Sequence, residues 1–213
     1  MTPMTIRTLT VEQFAGALAA RTPVPGGGAV AAVTLAHAAA LAGMVVEFTL
    51  GKPAFAAHED ALRAAAARLA AIRAEALGLA DRDAAAYGAL NALWKLPKDA
   101  PERTGRWPAA VAEAIDAPQA ILDLSAVVAA TCGTLAGRTN ANLASDLAIA
   151  ADLARLSARA AAHNVRVNLP SVGDAARAES RARSAAIARS LARFAFVRPA
   201  SVRQVAATTA DRS

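Results

Sequence analysis

The sequence has little of several things. It holds one cysteine, Cys132, so no internal disulfide can form, and the first residues lack the basic start, apolar run and cleavage site of a secretory signal. A cytoplasmic protein is the expectation. Aromatic residues make up 4% of the 213 residues although 55% are hydrophobic, so Ala, Leu and Val carry the apolar content. β-branched runs of strand length are nearly missing, and Ala is the best helix former and a poor strand former. This excludes a sheet-based core and predicts an all-α fold. We expect a single-domain, up-and-down-like bundle of long Ala-rich helices over residues 1–213, with a core of about 9–198 and a frayed tail from 199. Each buried Ala removes little apolar area from water, so packing across subunits, a homodimer, is expected.

Lysine is scarce too. Lys52, Lys95 and Lys98 are the three lysines in a chain that otherwise writes its cations as Arg, and each falls near a helix-to-loop junction. The net charge of +6 would suit an anionic partner, but the arginines are scattered, without aromatic interleaving or a nucleic-acid motif. Neither a nucleic-acid nor a membrane partner is expected, and binding through the Arg-rich last helix is the weakest alternative. The stretch from Ala29 to Val46 carries no formal charge and is as long as a membrane span. It reads as the buried central helix of a bundle, the only such stretch, with His37 a core group. His37, His58 and His163 show no metal-site spacing, and no Ser or Cys nucleophile arrangement is evident. Neither a metal nor a cofactor is expected.

What is present begins with punctuation. Thr10 and Gln13 form a capping-box pattern opening a helix to about Arg21, which Thr22-Pro23-Val24-Pro25-Gly26-Gly27-Gly28 ends. A second helix reaches about Leu50. Ala54 to Leu96 reads as one long helix or two collinear ones, then a short helix to Pro118 and another from there to about Ala136. A further helix, capped at or beside Asn142, reaches Leu169, and Asp174 can cap a last one to about Val197.

Three features can carry chemistry. The triple glycine before a helix admits either close approach of a ligand anion to free N–H groups or a tight helix crossing. Asp81 and Asp83 stand two apart and so point to nearly opposite sides of their helix. Asp83 aligns with Tyr87, Asn91, Trp94 and Lys98, a polar and aromatic face, which selects it over Asp81 if one carboxylate does chemistry. In the helix before Leu169, Asp146, Ser157, Asn164 and Asn168 share a stripe opposite Asp152, Arg155 and Arg159. That stripe should face inward, as an internal hydrogen-bond network or as a binding site.

In order and spacing, several segments together resemble the formimidoyltetrahydrofolate cyclodeaminase and methenyltetrahydrofolate cyclohydrolase family over roughly residues 9–175. They are Thr22 to Gly28, Gly43-Met44-Val45 with Thr49-Leu50-Gly51-Lys52, Asp81 to Tyr87, Leu96-Pro97-Lys98, Ala117-Pro118, Ser145-Asp146, and Asn164 to Asn168 with Asp174. The resemblance implies a helical dimer with a tetrahydrofolate-derived, possibly polyglutamylated, substrate. It implies Asp83 as catalytic acid/base and Pro25, Gly26, Gly27, Gly28, Lys52, Tyr87, Lys98, Ser145, Asp146, Asn164 and Asn168 as substrate-binding residues. The implied reaction is hydrolysis of 5,10-methenyltetrahydrofolate to 10-formyltetrahydrofolate, favoured here by the lack of a fused formiminotransferase domain. The alternative is cyclodeamination of formimidoyltetrahydrofolate with release of ammonia. Pro53, Ala85 and His37 depart from the family's usual residues, and Pro53 and Ala85 leave a catalytically silent dimeric folate-binding or scaffold protein as a second alternative.

Overall fold

The computed structural model describes residues 5–171, 179–182, 185 and 187. The expected Asp174 cap and the 199–213 tail lie outside them, as does most of the last helix. Five α-helices follow in order: α1 Val11–Ala19, α2 Gly27–Glu47, α3 Glu59–Trp94, α4 Pro101–Leu135 and α5 Ala144–Asn168. Short 3₁₀ turns at Ile6–Thr8, Pro53–His58, Ala141–Leu143 and Leu169–Ser171 complete the described elements, and no strand occurs among these residues. The all-α expectation holds.

Local signals set most of the ends. Thr10 and Gln13 form the full capping box of α1, each side chain accepting from the other's backbone N–H. Gly51 and Gly137 sit at φ +71° and +75° in the turns after α2 and α4, a conformation that favours glycine. Asn140 caps the 3₁₀ turn that leads into α5, accepting from the Asn142 N–H, while α5 itself starts after Leu143 without the side-chain cap expected at or beside Asn142. Pro101 opens α4, where a missing N–H costs nothing.

The two helices expected on either side of Pro118 are one. α4 runs unbroken through Pro108 and Pro118. An interior proline costs roughly 3 kcal/mol, but Ala114, Ile115, Ala117, Pro118, Ile121 and Leu122 are buried in succession, so packing on both sides of the break outweighs it. The proline also leaves the Ala114 carbonyl without its usual i+4 donor. Nδ2 of buried Asn168 on α5 donates to that oxygen at 2.8 Å.

α2 packs against α3 and α5, and α4 against α3 and α5, so two layers of long helices enclose the core. Where α2, α4 and α5 meet, Ser125 donates to the Ser157 oxygen and Ser157 to the Ala31 carbonyl, both at full burial. A smaller cluster of Leu90, Val111, Ala114, Ile115, Val165 and Leu169 joins α3, α4 and α5 at one end of the bundle. Both α2 and α4 are long and apolar enough to pass as a membrane span, α2 without formal charge over residues 29–46 and α4 with Asp116 and Asp123 inside it; in each, 56% of the most apolar window is buried inside the bundle. One correction follows. His37 is exposed rather than a core group, because α2 presents one face that no described element covers.

Candidate active site

The Gly-rich turn, which contains a cis Val24–Pro25 peptide, delivers the N-terminus of α2 to the middle of α3. Gly28 lies directly against Asp83: a Cβ there would overlap the carboxylate. Gly27 lies against Asn164 of α5, its missing Cβ position 3.6 Å from the Asn164 Oδ1. Glycine is therefore required at position 28 by the close approach of Asp83, whereas a Cβ at position 27 would make ordinary contact with Asn164, and three distant stretches of sequence converge on one point.

That point is electrostatically unusual. Burial pushes the Asp83 carboxyl from its ordinary 3.8 up to about 6, against a weaker downward pull from the Ala29 backbone N–H in the first turn of α2. The helix end stabilises the anion while the surroundings disfavour it. The result is a carboxyl that can exchange a proton near neutral pH.

Asp81 has a separate task. Its oxygens accept from the Ile6 N–H at 2.5 Å and the Arg7 Nε at 2.8 Å, tying the N-terminal segment to α3. Asp81 and Asp83 thus serve different partners from different sides of α3.

Along α3 the Asp83 face continues into Tyr87 and Trp94, whose rings meet edge-on at 6.2 Å. Trp94 in turn meets Trp107 of α4 at 6.0 Å. Tyr87 and Trp94 are both exposed. Arg103 stands 4.7 Å over the Trp107 ring and Lys98 lies in the same neighbourhood. Sequence reasoning passed over Arg103 and Trp107; their spacing of four on a helix, a cation beside an aromatic face, was the available signal.

The remaining residues divide. Gly28 meets Asp83 and Gly27 meets Asn164, with Pro25 and Gly26 just before them in the turn and Tyr87 one helical turn beyond Asp83 on α3. Asn168 lies one turn beyond Asn164, with its amide committed to the Ala114 and Asn164 carbonyls. Lys52, Ser145 and Asp146 are at the other end of the bundle. Asp146 is eighteen residues before Asn164 on α5, about 27 Å along the axis. The Lys52 turn sits beside it, joined by the Asn140 N–H donating to Thr49 Oγ1 at 3.1 Å. Cys132 is buried on α4, its thiol pushed up to about 12 by burial, an inert core group.

Among the described residues the chain is a strandless helical bundle in which a half-buried carboxylate, Asp83, sits at a helix N-terminus, an arrangement suited to acid/base chemistry. The chain belongs to the formiminotransferase-cyclodeaminase family, whose model matches residues 10–187. It is 33% identical to the methenyltetrahydrofolate cyclohydrolase of Methylorubrum extorquens over 81% of this chain and 85% of that one. It is 36% identical to the formimidoyltransferase-cyclodeaminase of Sus scrofa over 77% of this chain, which spans 31% of that longer protein. The crystal structure of formiminotetrahydrofolate cyclodeaminase from Thermotoga maritima superposes with a TM-score of 0.77 at 27% identity, covering 89% of this chain and 96% of that one.

Proposed function

We propose that this protein is a cytoplasmic folate one-carbon enzyme that hydrolyses 5,10-methenyltetrahydrofolate to 10-formyltetrahydrofolate, with Asp83 as the acid/base. The observation that carries it is the Asp83 carboxyl, raised to about 6 and seated against Gly28. At neutral pH it is mostly ionised and accepts a proton from the water that adds to the bridge carbon. The N5–carbon bond then breaks, and the carboxylic acid so formed returns a proton to N5; the second proton of the added water leaves to solvent as the formyl group forms on N10. Pro25, Gly26, Gly27, Tyr87 and Asn164 surround this point and position the substrate. No metal or redox cofactor takes part in this scheme.

The cyclodeaminase reading has its own support. The Thermotoga structure, matched over 96% of its chain, is that of a formiminotetrahydrofolate cyclodeaminase. In that reaction N10 attacks the formimino carbon and Asp83 protonates the departing ammonia. Supplying the purified protein with each substrate separates the two: loss of the methenyl chromophore above background supports hydrolysis, and ammonia release with methenyl formation supports cyclodeamination. Neither would leave a binding protein.

We also propose that the chain works as a homodimer through the uncovered face of α2. Val30, Thr34, His37, Leu41, Met44 and Phe48 follow one another at alternating intervals of four and three, the seam of a helix pair, and all are exposed or half-buried. Antiparallel pairing along this seam brings the Lys52 end of one protomer toward the Asp83 end of the other. It accounts for site residues a helix length apart in one chain.

A further inference from the structure

Ser157 places a hydroxyl at full burial in a stretch of α5 otherwise filled with alanine, for Ala150, Ala154, Ala158 and Ala161 are buried to the same degree. An alanine at 157 would fill most of the same space without taking a polar group out of water. The hydroxyl is paired, yet it repairs nothing. It donates to the Ala31 carbonyl at 2.8 Å, an oxygen that the Leu35 N–H serves in the unbroken ladder of α2. Asn168 differs, since its amide meets a carbonyl that Pro118 has orphaned. Ser125 of α4, also fully buried, stands behind Ser157 at 2.9 Å, so a chain of hydroxyls runs from α4 through α5 into α2.

What this chain fixes is register. Ser157 meets Ala31 while Asn164 meets Gly27, so α5 runs antiparallel to α2 and grips its first turns at two points, one by a hydrogen bond and one by ordinary contact. Gly28 and Ala29 lie between those points, where there is little slack. A Cβ at Gly28 would overlap the Asp83 carboxylate, and the Ala29 N–H bonds to it. α2 has no side-chain cap of its own at Gly26, so Asp83 serves that end of the helix from α3. A displacement of about 1 Å at a reacting group costs up to roughly a hundredfold in rate.

We infer that Ser157 is a positioning residue of the Asp83 site: its hydroxyl, backed by Ser125, holds the first turns of α2 in register on α5 and so keeps Gly28 and the Ala29 N–H against the carboxylate. Its effect on rate rests on the folate reading above, whereas the register itself is read without turnover.

The test compares the full chain with Ser157→Ala, with Ser157→Cys, which keeps the volume but donates poorly, and with Leu69→Val. The last is a buried truncation fourteen residues before Asp83 on α3, about 21 Å along the axis. Hydrogen exchange of the backbone amides over residues 26–30 should quicken about tenfold in both Ser157 variants and match the parent in Leu69→Val. Adding Gly28→Ala to Ser157→Ala should lower the melting temperature by half as much as it does in the parent, or less, because a released α2 can move aside for the methyl. On whichever folate the parent turns over, both Ser157 variants should lose about tenfold in kcat with KM within about threefold. Parent-like exchange with additive melting losses in Ser157→Ala would overturn the inference. Parent-like behaviour of Ser157→Cys would overturn it too, by making the effect one of volume; this variant also carries the test if Ser157→Ala does not fold. Faster exchange with unchanged kcat would reduce Ser157 to a structural role and overturn it equally. A parent chain inactive on both folates would remove the reaction proposed above, while the exchange and the Gly28 coupling would still decide whether Ser157 holds α2.

Discussion

At the scale of residues, Asp83 binds its proton more tightly in the fold than in the unfolded chain. With a folded value of about 6 against an ordinary 3.8, its contribution to stability is fully present below about 4 and is lost as pH rises toward 6. Above that, ionisation costs up to roughly 3 kcal/mol. Asp83→Asn should therefore melt at higher temperature than the parent at pH 7.5, with the gap closing near pH 4, as differential scanning calorimetry will show. Stability is traded for a carboxylate poised to act. Gly28→Ala is the companion change. Its methyl would occupy the carboxylate's place, so we expect turnover to fall at least tenfold with a stability loss of about 1–3 kcal/mol. The selection of Asp83 over Asp81 was legible in sequence because two residues on a helix are 200° apart. The packing of Gly28 on Asp83 was not, since 55 residues separate them and nothing local records the approach.

At the scale of elements, the most informative pair is Pro118 and Asn168. The polar stripe on α5 was legible as inward-facing, but whether it was network or site was left open, and the structure divides it. Asn168 fills the hydrogen bond that Pro118 removes from the α4 ladder, Ser157 joins α2 to α4, and Asn164 alone reaches the Gly-rich turn. Asn168→Leu should cost about 1–3 kcal/mol by leaving the buried Ala114 carbonyl unsatisfied. In a Pro118→Ala background, where residue 118 again donates to that oxygen, the same change should cost distinctly less in urea denaturation; equal costs would show the two residues to be independent. The break expected at Pro118 failed for the same reason. A proline's local penalty is visible in sequence, whereas the distant side chain that compensates it is visible only in the fold.

At the scale of the whole molecule, composition made the helical class legible, because a chain rich in Ala, poor in aromatics and nearly without β-branched runs of strand length has few other ways to pack. The expected dimer followed from the charge-free stretch from Ala29 to Val46, yet the seam itself needed the fold, which shows a face of α2 that no described element covers. Light scattering at micromolar concentration should give twice the chain mass of 21.6 kDa, and Leu41→Glu at the middle of the seam should give that mass once. A parent chain at 21.6 kDa would remove the dimer.

The central claim is that Asp83 moves the proton at the one-carbon bridge. It is tested by following decay of the 5,10-methenyltetrahydrofolate chromophore across pH with the parent chain, Asp83→Asn and Asp81→Asn. We predict that kcat/KM of the parent rises through about pH 6, that Asp83→Asn loses roughly two to four orders of magnitude with folate affinity within about tenfold, and that Asp81→Asn loses little. Full activity in Asp83→Asn, with Asp81→Asn inactive, would contradict the account.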